Sequence, residues 1–182
     1  MHSRLSGGFT LIEVMVAILV LAIGVVGAAG VQVAALRTRH LSGLMSGGVQ
    51  LAGALADRMR ANSLQMQASD DANPYLTLQY DAAEGAPAPG DATCFGGAAC
   101  SSAQVAAFDL YEVKQALFAD FPGARVAVCR DASDGATLAW ECAGAANAPI
   151  VIKLGWRDRR ADPALPVIPS IALVVAGTGA LP

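Results

Sequence analysis

The chain is poor in the residues on which chemistry is most often built. Among 182 residues there are two histidines, His2 and His40. The four cysteines form no Cys-x-x-Cys pair, which argues against a structural zinc site. No Gly-x-Ser-x-Gly elbow, metal-ligand cluster or phosphate-cradling loop occurs, so no catalytic activity, metal or cofactor is expected. Aromatic residues make up 5% and lie scattered, and no basic cluster accompanies them, which leaves no platform for nucleic acid. Charge is sparse as well, at 15% of residues with a net of −3. Proline is absent before Pro74, so nothing of that kind interrupts the first third of the chain.

What is abundant is apolar sequence near the start. From Val14 to Leu36 the sole polar side chain is Gln32, which suffices for a helix that crosses a bilayer. Glu13 stands inside this apolar stretch, where an ionised carboxylate costs about 2.5–3.5 kcal/mol and calls for a partner or a function. Ahead of it, Met1 to Gly8 is a short polar leader carrying Arg4 and ending in Gly7-Gly8. A secretory signal has its cleavage site after the apolar segment; here the break precedes it, so cutting there leaves the helix on the mature protein. Removing Arg4 takes the net charge to about −4. Arg37 and Arg39 follow the span closely and oppose a simple positive-inside orientation. The leader decides the matter: leader in the cytoplasm, bulk of the chain outside it.

The segment Gly8-Phe9-Thr10-Leu11-Ile12-Glu13-Val14 resembles the class III signal of type IV pilins and type II secretion pseudopilins. The resemblance implies that a prepilin peptidase cuts between Gly8 and Phe9, that the new amine of Phe9 is methylated, and that Glu13 is the family's acidic residue. The physics agrees, since Phe9 and Glu13 are four apart on one helix face and an amine and a carboxylate neutralise each other in low dielectric.

Further on, Leu41, Leu44, Leu51, Leu55 and Met59 recur at helical spacing through Gly48, which predicts one long helix from about Phe9 to Ser63, lipid-embedded first and amphipathic afterwards. Gly24, Gly27, Gly30, Gly43, Gly47, Gly48 and Gly53 weaken it or let another helix approach. The stretch from Asn62 to Thr93 reads as an irregular connector with one strand candidate, Tyr75 to Tyr80. Its acidic turn at Asp70-Asp71 lacks the spacing of a calcium loop.

Ser101 and Gln104 form a capping box that opens a second helix, with Ala106, Leu110, Val113, Leu117 and Phe121 on its apolar face and Asp109, Glu112 and Gln115 away from it. Pro122-Gly123 ends it. Asp109 to Leu117 resembles a segment of minor pilins described as pilus modification protein PilV. Strands are expected over residues 125–130, 137–142, 150–157 and 169–176. Trp140 and Trp156 are expected to pack from the sheet on the second helix.

All four cysteines lie outside the apolar helix, and an even count in an exported domain favours two disulfides, although three connectivities are open. A two-residue turn at Gly135-Ala136 places Asp134 opposite Thr137, and with it Cys129 opposite Cys142 and Arg130 opposite Glu141. That register points to Cys129–Cys142 and leaves Cys94–Cys100. A longer turn over Asp131 to Gly135 shifts the register.

The expected architecture is therefore α+β: leader 1–8, transmembrane helix 9–36, its amphipathic continuation 37–63, and an exported head 64–182. The long helix packs on a small four-stranded antiparallel sheet with a second short helix. The resemblance implies a minor pilin that takes part in assembly of a type IV pilus and, through it, in adhesion or twitching motility. Its partners would be prepilin peptidase, other minor pilins, the major pilin, the inner-membrane assembly machinery and membrane lipid. Its place would be the inner membrane with a periplasmic head, then the pilus at the cell surface. The alternatives are a minor pseudopilin of a type II secretion system and a membrane-anchored binding domain that never polymerises, the latter suggested by the loop from Asp70 to Cys94.

Overall fold

The computed structural model describes residues 8–90, 94, 99–133, 138–144, 146–158, 162 and 164–176. Helix α1 runs unbroken over Leu11–Ala61. Its residues up to Gly43 form one unit and Leu44 onward belongs to another.

In the first unit the helix is bare. Every described residue from Gly8 to Gly43 is exposed, and the large apolar side chains among them include Phe9, Leu11, Ile12, Leu21 and Val26. By length and apolar composition this helix is able to cross a membrane. The leader residues 1–7, Arg4 included, lie outside the described residues.

In the second unit, α1 buries Gly48, Ala52, Leu55, Ala56 and Met59, with Leu44 and Leu51 half-buried beside them. Leu41, expected on this stripe, is exposed, so the buried face begins a turn later. Close approach depends on Gly48: a Cβ there would meet the Trp156 ring at 2.7 Å. The helix ends at Ala61 rather than Ser63. Asn62 leaves helical geometry and donates from Nδ2 to the Ser102 carbonyl at 2.8 Å, and the four-residue α2 (Ser63–Met66) follows.

The connector departs from expectation where Asn73 and Pro74 act together. The Asn73 side chain accepts from the Tyr75 amide at 3.1 Å and Pro74 supplies the fixed φ of a first turn. Residues Pro74–Thr77 therefore wind into a 3₁₀ turn, and strand β1 is confined to Gln79–Asp81. Helix α3 spans Ser102–Asp120 with the expected capping box, Gln104 N donating to Ser101 Oγ at 3.3 Å and Ser101 N to Gln104 Oε1 at 2.9 Å. Ala106, Leu110, Val113, Leu117 and Phe121 are buried as the pattern requires.

Strands β2 (Arg125–Arg130), β3 (Ile150–Gly155) and β4 (Ile171–Ala176) complete an antiparallel sheet of order β1-β2-β3-β4. Val126, Val128, Ile152 and Leu154 point to one face, where they share a core with Leu55 and Met59 of α1 and Leu110 and Leu117 of α3. Of the strand expected over 137–142, residues 138–142 form no strand, while Asp134 to Thr137, with the expected turn, lie outside the described residues. Instead β2 pairs with β3, Cys129 opposite Val151 and Arg130 opposite Ile150. The reason is apolar area. Every residue of β3 is buried, so this run gains more by lying centrally in the sheet than the mixed stretch 138–142 would.

Candidate functional site

The start of α1 lies at the first described residues. Gly8, Phe9 and Thr10 precede the helix, and the Thr10 carbonyl accepts from the amides of Glu13 at 3.1 Å and Val14 at 3.3 Å, so Thr10 occupies the N-cap position. Glu13 falls in the first turn, where the helix dipole favours a carboxylate. Phe9 and Glu13 line one shallow groove of about 250 Å³ together with Val14, Ala17, Ile18 and Leu21. The wall of this groove is almost wholly apolar. No described side chain makes an ion pair with Glu13. The arrangement is an exposed apolar face with Glu13 in the first turn of its helix.

In the head, residues 138–144 lie across the face of the sheet turned away from the core. Arg125, Ala127 and Cys129 of β2 share that face with Lys153 of β3, whose register partner is Ala127. The Arg125 guanidinium stacks over the Trp140 ring at 4.5 Å, and Trp140 Nε1 donates to the Val167 carbonyl at 2.7 Å. Lys153 Nζ donates to the Glu141 carbonyl, and Cys142 reaches Cys129 with Cα atoms 6.2 Å apart. Trp140 thus covers the sheet rather than packing on α3. Trp156 does meet the end of α3, its ring centroid 5.4 Å from that of Phe121.

Both cysteine pairs are at disulfide distance: Cys94–Cys100, with Cα atoms 6.0 Å apart, and Cys129–Cys142. The second is reached across a sheet face, not through the strand pairing that suggested it. The expected partner of Arg130 is likewise replaced. In place of Glu141, Arg130 forks onto Asp70 of the connector at 2.6 and 2.8 Å and donates to the Ala148 carbonyl at 2.9 Å. That bidentate contact holds the Asp70 carboxyl below its ordinary value.

Asp131, at the end of β2, and Lys153 are both almost fully buried and form an ion pair. Burial opposes ionisation of Asp131, but donors from Lys153, the Ser133 amide and hydroxyl, and the Ala143 amide outweigh it and hold the carboxyl well below the usual carboxylate range. The Asp131 to Ser133 turn therefore serves the protein's own lysine. Among the described residues no group of His, Cys, Asp and Glu is placed to hold a metal ion.

A second buried polar knot centres on Asp109, whose polarity suggests the wet side of α3. It is buried, and its carboxylate accepts from Tyr75 Oη at 2.6 Å and from Arg58 Nη1 at 3.2 Å, while Arg58 also pairs with Glu112. Burial, aided by the bond to Asp109, pushes the Tyr75 hydroxyl upward. The signal was present: Asp109 is three residues after Ala106 and four before Val113, the spacing of the buried face itself.

Comparison with known proteins bears on residues 3–111. Residues 3–29 match the family described as Prokaryotic N-terminal methylation motif, and residues 30–111 match the family described as Type IV pilin Tt1218. The second match ends inside α3, so β2, β3 and β4 lie beyond both. No curated protein and no solved structure matches the chain. The two matched segments imply processing by prepilin peptidase and assembly with pilus machinery, and the type IV pilin family is structural rather than enzymatic. The long apolar helix, the second helix and the four-stranded antiparallel sheet are the pilin α+β fold. Over residues 3–111 the chain is similar to type IV pilins, and its fold, with one helix long and apolar enough to cross a membrane, is consistent with a type IV pilin-like protein.

Proposed function

We propose that the protein is a minor pilin of a type IV pilus, a subunit that joins the initiating or tip complex and promotes filament assembly. In this reading prepilin peptidase cuts between Gly8 and Phe9, the Phe9 amine is methylated, and the mature helix waits in the inner membrane with its head in the periplasm. Assembly exchanges lipid contacts for helix contacts along the exposed apolar face. Glu13 sets the axial register, because a shifted neighbour leaves its charge buried without a partner. The observation that carries the reading is the apolar groove at the start of the exposed helix, with Phe9 and Glu13 both in its lining.

Two features favour a pilus over a type II secretion pseudopilus: the two disulfides, and the capped helix that follows Cys100. The resemblance of Asp109 to Leu117 to minor pilins described as PilV supports the minor role. The test is Glu13→Leu in cells lacking the native copy. Normal membrane levels with loss from sheared filaments support the register role. Filament entry at the native level rejects it, and a secretion defect with intact piliation favours the pseudopilus.

A further inference from the structure

Arg37 and Arg39 sit at the end of the apolar run where a span oriented by its leader is expected to carry few basic residues. Leu11 to Arg37 is continuous helix, and its 26 steps of 1.5 Å rise about 39 Å. A bilayer measures about 30 Å across its hydrocarbon and about 40–45 Å with its headgroups. With Leu11 at one interface, both guanidinium groups come to the phosphate level of the other, and their flexible stems give them reach.

The local chemistry leaves these charges unspent. Between Glu13 and Asp57 helix α1 carries no acidic residue, so neither arginine has a partner one turn away. Both are exposed, and among the described residues neither takes part in an ion pair. Thr38 between them is satisfied inside the helix, its hydroxyl donating to the Ala34 carbonyl at 3.2 Å. At about 100° per residue, Arg39 lies about 160° around the helix from Arg37, nearly opposite it. The cations therefore face both flanks. A single neighbouring helix meets one flank, whereas headgroups surround the helix.

We propose that Arg37 and Arg39 form a collar that binds the phosphates of anionic phospholipids in the leaflet at the C-terminal end of the apolar segment, fixing the depth of the helix before it leaves the membrane. The proposal rests on the membrane-anchored reading above. Withdrawal into a filament must break these contacts, so the collar holds the subunit in the bilayer until assembly draws it out.

The test uses the full chain reconstituted in phosphatidylcholine vesicles with and without one part in three phosphatidylglycerol. Spin-labelled lipids of each headgroup report association with the protein. The wild type is expected to prefer phosphatidylglycerol by at least about fivefold, the effect of one arginine near a charged surface. Arg37→Gln/Arg39→Gln should lose the preference, Arg37→Lys/Arg39→Lys should keep it, and excess inorganic phosphate at constant ionic strength should leave it intact. No preference in the wild type, or one that survives in the glutamine variant, overturns the collar. Displacement by inorganic phosphate assigns the site to free phosphate instead and overturns it as a lipid site. So does a glutamine variant that is lost from filaments while the wild type shows no lipid preference, which gives the arginines to a neighbouring subunit. Failure of the wild type to float with neutral vesicles sinks the anchored reading and the collar together; flotation without a preference sinks the collar alone.

Discussion

Lys153 of β3 and Asp131 at the end of β2 meet as an ion pair from which water is almost wholly excluded, and the same lysine donates to the Glu141 carbonyl of the segment lying across the sheet. One side chain thus ties the sheet to its cover. Lys153→Met leaves a buried carboxylate without its partner and should cost about 3–5 kcal/mol, whereas Lys153→Met combined with Asp131→Leu should recover most of that loss. Denaturant unfolding followed by the fluorescence of Trp140 and Trp156 checks both.

The same pair sets an acid limit. The folded Asp131 carboxyl titrates below its unfolded value of about 3.9, so the unfolded chain binds more protons as pH falls. Stabilisation from this group is complete above the unfolded value and is lost as pH drops through the folded one. Stability of the wild type should therefore decline from about pH 5 downward. The Lys153→Met/Asp131→Leu variant should show a shallower decline, measured as the unfolding midpoint across a pH series.

Glycines of α1 should separate into two kinds. Gly48→Ala drives a methyl into the Trp156 ring and should destabilise by about 1–3 kcal/mol. Gly53→Ala, with no neighbouring atom within 4 Å of a Cβ, should stabilise by up to about 1 kcal/mol. Thermal unfolding of the two variants side by side decides the point; equal effects contradict it.

The disulfides should contribute unequally. Cys129→Ser/Cys142→Ser opens the longer loop and should cost about 3 kcal/mol, together with looser cover over Lys153. Cys94→Ser/Cys100→Ser opens a loop of half that length and should cost closer to about 2 kcal/mol. Mass spectrometry of the non-reduced chain checks the pairing, and unfolding midpoints check the ranking.

Much of this was legible because it is local. The bare apolar helix, the Ser101 to Gln104 cap and the strand over Arg125–Arg130 each announce themselves within a few residues. What failed depended on competition between distant segments. Thr137 to Cys142 reads as a strand, but β3 offers β2 a wholly buried partner, and residues 138–142 cover a face of the sheet instead. The Cys129–Cys142 pair was named from a hairpin that does not form, since opposing strands and a segment crossing a sheet both bring Cα atoms close. Asp109 was misplaced by polarity when its spacing already set it on the buried face. At the N-terminus, Glu13 stood out because a carboxylate among apolar residues needs no long-range information to be noticed.

The most direct test of the pilin-type reading is the N-terminal mass of the protein recovered from membranes and from sheared surface filaments. A chain that begins at N-methylated Phe9 in both fractions is the expected result. A chain that keeps Met1 to Gly8, or one absent from every filament preparation, contradicts it.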